Sequence, residues 1–462
     1  MTQQAGAAPV ARTVAQFAGD LSWQALPGEV RRESVRAWLN WMGCAIGGAA
    51  TPAMDAAVRA TLAMGARGEV ALPGRRERVG MQEAALLSCL ASSAHTYDDT
   101  HLATITHPTG PVAGAVLAAA DRLSAQGSPV DGRALLTALA AGIEVECRLS
   151  CAIAEGGADL GWYMTGLSGG VGAAAAVARL LGLGQAAMTD AICIAAAQAG
   201  GLRATHGSMA ITYVPGMGAR NGLASAYLAA AGFTGGAIAL DGRNGLLQVL
   251  TGGRQADALA RGLGGRYEML ANTYKPYPCG IVIHPAIDAC LAMAREHDVD
   301  PAAIEAIEMR VHPDALNLTW RKLPDNVLDA QVSLFHWVAA ALAQRAAGIA
   351  QGTLACVRDP LVRALQERAS AVADESLAAN QAVVALRLRG GARHEHFTRE
   401  AIGSLALPMT DEQLDAKFRE QAEPLLGRDR TAELLDLCRG APDLGDAAGL
   451  LRLAAAGDPA SS

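Results

Sequence analysis

Up to about residue 270 apolar residues return at helical spacing, and Gly or Pro closes each run, so packed helices are the first structure this stretch allows. "VRAWLNWMGCAIGG" reads as one helix closed by Gly and "EAALLSCLASSAH" as another, while "PVAGAVLAAADRLSAQG" starts with Pro111 in its first turn and stops at Gly127. Four more follow: "GRALLTALAAGIEVECRLSCAIAEGG", "GGVGAAAAVARLLGLG", "AAMTDAICIAAAQAGG" and "ARNGLASAYLAAAGF". With aromatics at 4%, these helices are expected to approach closely around a core of small side chains. None of the apolar runs reaches the ~20 residues of a membrane span. The nearest, "LASAYLAAAGFTGGAIAL", is broken by Gly-Phe-Thr-Gly-Gly and reads as a buried helix and a turn.

The pattern changes after "ANTYKPYPCG". A helix "HPAIDACLAMAREH" leads into "AIEMRVH", where Ile307, Met309 and Val311 alternate with polar residues in strand fashion. "AVVALRLRGGARHEHFT" reads as a hairpin turning at Gly390-Gly391, with Val384, Leu386 and Leu388 on one face. Two helical segments, "AQVSLFHWVAAALAQR" and "PLVRALQERASAV", lie between. The tail returns to helix at "TDEQLDAKFREQAEPLL", opened by a Thr410/Gln413 capping box. The fold class expected is mainly α with an α+β second domain: a helical domain from residues 1–271 and 405–462, and an α+β lid domain at 272–404.

A formal net charge of −7 with no basic run argues against nucleic acid and anionic membrane as partners. The amino terminus lacks the basic start and apolar core of a secretory signal, so a cytoplasmic location is expected. Nine cysteines without a Cys-x-x-Cys pair fit that compartment better than a disulfide framework. Cys147 and Cys151, one helical turn apart, read as core packing rather than as a metal or redox pair. Lysine occurs only at Lys275, Lys322 and Lys417 among 38 basic residues, which makes each a candidate for chemistry that Arg cannot do.

Three stretches concentrate that chemistry. "SSAHTYDDTHLATITHPTGP", residues 92 to 111, gathers three His, two adjacent Asp and five Thr. If its helix runs to Asp99, His95 and Asp99 share a face, and "ITHPTGP" delivers His107 into a turn fixed by Pro108 and Pro111. Histidines held near carboxylates suit general acid or base work. His, Asp and His could instead ligate Zn or Mn, but no HExxH-like spacing is present and no metal is assigned.

"GWYMTGLSGGVGAAAAVARLLGLG" reads as a glycine-rich loop opening an Ala-rich helix, with Tyr163 and Thr165 projecting from the loop and backbone N–H groups favouring a carboxylate or phosphate. It fits neither a P-loop nor GxGxxG. "NTYKPYPCGIVIHPAID" sets Lys275 in rigid backbone beside Cys279 and His284, at a boundary between lobes of the kind that holds ligand clefts. Lys275 there could take a proton or bind a carboxylate. Cys279 as a nucleophile lacks a base in the sequence.

With "YDDTH", "THPTGPV", "TGLSGGVGAAAAVARLLGL", "GARNGLASAYLAAAGFTG" and "YKPYPCGIVIHPAIDA" in this order, the chain resembles the MmgE/PrpD family over most of its length. That family includes 2-methylcitrate dehydratase, cis-aconitate decarboxylase and iminodisuccinate epimerase. The resemblance implies a helical domain built from both chain ends, a smaller lid domain, a cleft between them, a homodimer, no cofactor, and proton chemistry next to a carboxylate. Asp99, Thr100 and His107 match the family's acidic-plus-histidine motif, Lys275 its lysine, and His284 the histidine that follows. Two positions depart: Tyr163 stands where members commonly have His, and Ile211, near Ser208 and Met209, where they have Lys. These departures count against methylcitrate dehydration and cis-aconitate decarboxylation themselves.

The function expected is a lyase, dehydratase or decarboxylase in character, on a small carboxylic acid. His107 or Lys275 moves the proton, Tyr163 acts as acid or binds the enolate, and Asp99 supports them. Thr100, Thr165, Ser208, His284 and Cys279 hold substrate. An epimerase is the runner-up, a catalytically silent ligand-binding homologue the reading from another class, and a metallohydrolase the outsider.

Overall fold

The computed structural model describes residues 9–157, 161–254 and 256–456. The chain forms two compact units. One comprises Met1–Ala94, Asp98–Asn272 and Leu414–Ser462; the other comprises His95–Tyr97 and Thr273–Gln413.

The first unit is helical, as the periodicity predicts. Its body includes helices Gly28–Gly47, Met81–Ser93, Thr109–Ala125, Gly132–Glu155, Met164–Leu180, Gln185–Ala196 and Ala210–Ala230. The Met164–Leu180 helix lies at its centre, packed on Gly132–Glu155 and Ala210–Ala230. Small residues set these crossings. A Cβ at Gly172 would stand 2.7 Å from the Gly142 carbonyl oxygen, and one at Gly222 would stand 2.5 Å from that of Gly170, so backbone meets backbone there. Leu414–Ser462 closes on the same body, with Lys417 Nζ donating to Asn40 Oδ1 at 2.7 Å.

Two local expectations for this unit need correction. The helix through "LLSCLASSAH" stops at Ser93 and does not reach Asp99, so His95 and Asp99 do not share a helical face. Thr96 sits at φ +52°, a left-handed conformation that turns the chain out of helix. The glycines of "TGLSGGVG" form no loop either, because the helix already begins at Met164 and they lie inside it. Their missing side chains serve close packing, and past the first turn their N–H groups belong to the helix rather than to an anion.

The second unit is α+β. A four-stranded sheet runs in the order Ala369–Ala373, Ile304–Val311, Ala382–Leu388, Arg393–Thr398, with the first pair parallel and the others antiparallel. Ile307, Met309 and Val311 are buried while Glu308 and Arg310 are exposed, as the alternation predicts. Val384 and Leu386 join the same core, to which helices His284–Glu296 and Leu334–Gln344 contribute Ile287, Cys290, Trp337 and Val338. The hairpin turns at Gly390-Gly391, both at positive φ. "PLVRALQERASAV" is helix only to Arg368; Ala369–Ala373 is the edge strand, its alternating half recruited by pairing with Ile307–Val311. The Thr410/Gln413 capping box is formed: Thr410 N–H donates to Gln413 Oε1 at 2.8 Å and Gln413 N–H to Thr410 Oγ1 at 3.2 Å. Among the described residues no helix is long and apolar enough to cross a membrane.

Candidate active site

In the first unit the chain leaves Ser93, passes a two-residue strand, Thr100–His101, and turns back at Ile105, which has φ +53°. His101 N–H donates to Thr106 O at 2.8 Å, closing the loop and bringing His107 over Asp99 and Thr100. Pro108 then leads into the Thr109–Ala125 helix.

His107 is held on three sides. Its backbone N–H donates to Thr165 Oγ1 at 3.0 Å. Its Nδ1 lies 2.8 Å from the Asp99 carbonyl oxygen, 3.2 Å from Thr100 Oγ1 and 3.9 Å from Asp98 Oδ1. A carbonyl oxygen can only accept, so that short contact assigns the proton to Nδ1 and makes Nε2 the basic nitrogen. The Asp98 carboxylate stands where it stabilises an imidazolium. Asp99 is occupied differently: its Oδ2 accepts from Thr109 Oγ1 and Asn272 Nδ2, both at 2.5 Å, so this carboxylate braces the loop.

Tyr163 occupies the N-cap position of the Met164–Leu180 helix. Its ring lies 6.1 Å from that of His107 and 5.7 Å, edge-on, from that of His206. Burial, then the charge of Asp98, raises its phenol well above the usual range, so it stays an O–H donor. Tyr163 N–H donates to Gly201 O at 3.0 Å and Arg203 N–H to Gly161 O at 2.9 Å, which seats the following turn beside the ring. His206 Nδ1 is 2.7 Å from Arg203 O in that turn. Ser208 is exposed, and its hydroxyl donates to Thr205 O at 2.7 Å. Ile211 lies in the first turn of the Ala210–Ala230 helix, half-buried.

Beneath this group lies Glu146. It is fully buried, and neither carboxyl oxygen has a hydrogen-bond partner among the described residues. Burial and the charge of Asp99 hold it well above the usual carboxylate range. The first unit thus brings Asp99, Thr100, His107, Tyr163 and Thr165 together, and adds Asp98, Thr109, His206, Asn272 and Glu146.

The second unit carries Lys275, Cys279 and His284. Lys275 is 2% exposed. Cys279 is a free thiol inside the hydrophobic core, pushed well above its ordinary range by burial despite the opposing charge of Lys275. His284 starts the His284–Glu296 helix, with Pro285 in its first turn, and its ring meets Tyr277 edge-on at 5.4 Å. The Tyr277 hydroxyl donates to Asp288 Oδ1 at 2.5 Å, while Ile402 N–H donates to Asp288 Oδ2 at 2.8 Å. Burial raises the Asp288 carboxyl against both bonds.

Comparison with known proteins accounts for both units. Residues 12–259 match the MmgE/PrpD N-terminal domain and residues 277–440 the MmgE/PrpD C-terminal domain. Among similar proteins is a cis-aconitate decarboxylase of Aspergillus terreus, 29% identical over 299 residues, or 62% of this chain and 61% of the relative. The chain thus spans about three fifths of the length of that fungal relative. Cis-aconitate decarboxylases of Mus musculus and Homo sapiens are each 27% identical, over 80% of this chain and 78% of their own length. With the amino-terminal match alone covering more than half of its residues, the chain belongs to the MmgE/PrpD family.

Proposed function

We propose that the chain is a lyase that moves a proton at the carbon next to a carboxylate of a small carboxylic acid, ending in loss of water or carbon dioxide. The observation that carries this reading is the fixed ring of His107, with Nδ1 at 2.8 Å from the Asp99 carbonyl and the Asp98 carboxylate 3.9 Å away. Nε2 takes the proton, and Asp98 stabilises the cation that forms; positioned proton transfer of this kind contributes typically about 10²–10⁴-fold. Tyr163, kept neutral by burial, donates to the developing enolate oxygen or returns the proton. Thr165 fixes the backbone of His107 through its hydroxyl. Lys275 enters this reading from the family resemblance, as the second proton-handling group. The names of the relatives make unsaturated tricarboxylates such as cis-aconitate the first substrates to try. Tyr163 and Ile211, standing in place of the family's His and Lys, point to a different acid within that class. The reading includes a homodimer working without a cofactor, which light scattering and dialysed enzyme test directly.

Incubation of the full chain with candidate acids in deuterated water decides the chemistry. Loss of water or carbon dioxide is expected, and His107→Gln should slow it by about 10²–10⁴-fold. Isotope exchange with inversion and nothing expelled would make the enzyme an epimerase. Binding without turnover across the substrate class would make it a silent homologue.

A further inference from the structure

A second constellation in the first unit takes no part in the reaction proposed above. His101 lies in the short strand Thr100–His101, Cys151 near the end of the Gly132–Glu155 helix, and Glu268 at the start of the turn Glu268–Ala271. One ligand atom from each lies within 4.8 Å of the other two. His101 is fully buried, and its Nε2 has no hydrogen-bond partner among the described residues. That nitrogen faces Glu268 Oε2 at 3.7 Å, beyond hydrogen-bond reach.

We infer that His101, Cys151 and Glu268 bind a divalent transition metal of the zinc class, with a fourth position left for water. Tetrahedral zinc has bonds of about 2.0–2.3 Å to N, O and S, which sets ligand-to-ligand edges of about 3.3–3.6 Å. The 3.7 Å nitrogen-to-oxygen separation already approaches that edge. A neutral imidazole, a thiolate and a carboxylate together offset the two charges of the ion.

The surroundings are built for such a site. His101 Nδ1 is 2.8 Å from Thr104 Oγ1, which is 2.8 Å from Thr106 Oγ1. With the Nδ1 proton given to Thr104, the Nε2 lone pair faces the other two ligands. Glu268 divides its oxygens: Oε1 pairs with exposed Arg266, leaving Oε2 toward His101. The segment bearing Glu268 is clamped to the Cys151 helix. Arg148 donates to the carbonyls of Arg261 at 2.7 Å, Gly262 at 3.2 Å and Arg266 at 2.5 Å, and Glu144 Oε2 accepts from Met269 N–H at 3.0 Å. Cys151, read from the sequence as packing, gains a second role. Because His101 N–H closes on Thr106 O, the ion fastens the base of the loop that carries His107.

The test uses the full chain stripped with chelator and titrated with Co²⁺, read by absorption. One equivalent should produce visible d–d bands and a near-ultraviolet thiolate-to-cobalt charge-transfer band, and Zn²⁺ should displace both. Cys151→Ser should lose the charge-transfer band, and Glu268→Gln, at a partly exposed position, should weaken binding with the circular dichroism unchanged. Thr104→Val, which removes the Nδ1 partner together with its hydrogen bond to Thr106, should weaken binding about 10- to 100-fold. Absence of the charge-transfer band, or its survival in Cys151→Ser, overturns the site. Neither outcome bears on turnover by His107, so this inference and the proposed reaction fail independently.

Discussion

Replacing Glu146 by Gln isolates the protonation state of the acid beneath the His107 group. Its carboxyl is fully buried, unpartnered, and raised by burial and by Asp99. Positions at which Gly169 and Gly172 would carry a Cβ lie 3.4 Å and 3.2 Å from its two oxygens, so the Met164–Leu180 helix presents its glycine face to the carboxyl. A group with a folded-state pKa above its unfolded value contributes stability that is fully present below the unfolded pKa and is lost as pH rises toward the folded one. The window therefore opens at the ordinary value of 4.5 and extends upward. Within it the wild type loses about 1.4 kcal/mol per pH unit from this one proton, because the unfolded chain ionises while the folded chain does not. The amide keeps the shape of the protonated acid and never ionises. Glu146→Gln should match the wild type below the window and gain on it by about 1.4 kcal/mol per unit above. Paired urea or thermal unfolding of both proteins from about pH 4 to about pH 8 measures the difference, in which the slopes of all other carboxylates cancel. A difference that stays flat with pH, or a variant less stable throughout, refutes the claim that Glu146 folds protonated.

His107→Gln should lower turnover by about 10²–10⁴-fold while leaving the circular dichroism and melting midpoint in place, since the lost group acts on a proton. Thr165→Val removes the acceptor of the His107 backbone N–H and should cost activity, together with about 1–3 kcal/mol of unfolding free energy from the unpaired donor, assayed beside it. Gly172→Ala drives a Cβ to within 2.7 Å of the Gly142 carbonyl and should destabilise the first unit by about 1–3 kcal/mol or more, read as a fall in melting temperature. Tyr277→Phe strips a donor from half-buried Asp288 and should cost about 1 kcal/mol in unfolding free energy.

What could be read from residues alone followed where one local rule dominates. The strand at Ile304–Val311 and the hairpin at Gly390-Gly391 announce themselves because a half-buried sheet imposes a period of two, and the Thr410/Gln413 box because its partners sit three residues apart. The end of the Met81–Ser93 helix was not legible, since a threonine takes up a left-handed conformation only when its surroundings impose it. The glycines of "TGLSGGVG" were misread for a related reason: the same residues permit a loop or a close helix crossing, and the deciding neighbours, Gly142 and Gly218, are remote in sequence. Asp99, Thr100 and His107 are legible as a group because one short loop carries all three, and the stretch "GWYMTGLSGGVG" points to Tyr163 and Thr165 on its own. His206 and Asn272 reach the group through contacts no spacing encodes. Glu146 leaves a trace in the local sequence. In "GIEVECR", Glu144 and Arg148 pair one helical turn apart, which strands the carboxylate between them on the opposite, apolar face.

At the crossing of Gly142 and Gly172 a Cβ added to either residue would meet the main-chain oxygen of the other at 2.7 Å. A crowded side chain can be trimmed by a second substitution elsewhere, but a carbonyl belongs to every amino acid and cannot be mutated away. Diversification of this scaffold is therefore shut at this crossing, whatever changes around it.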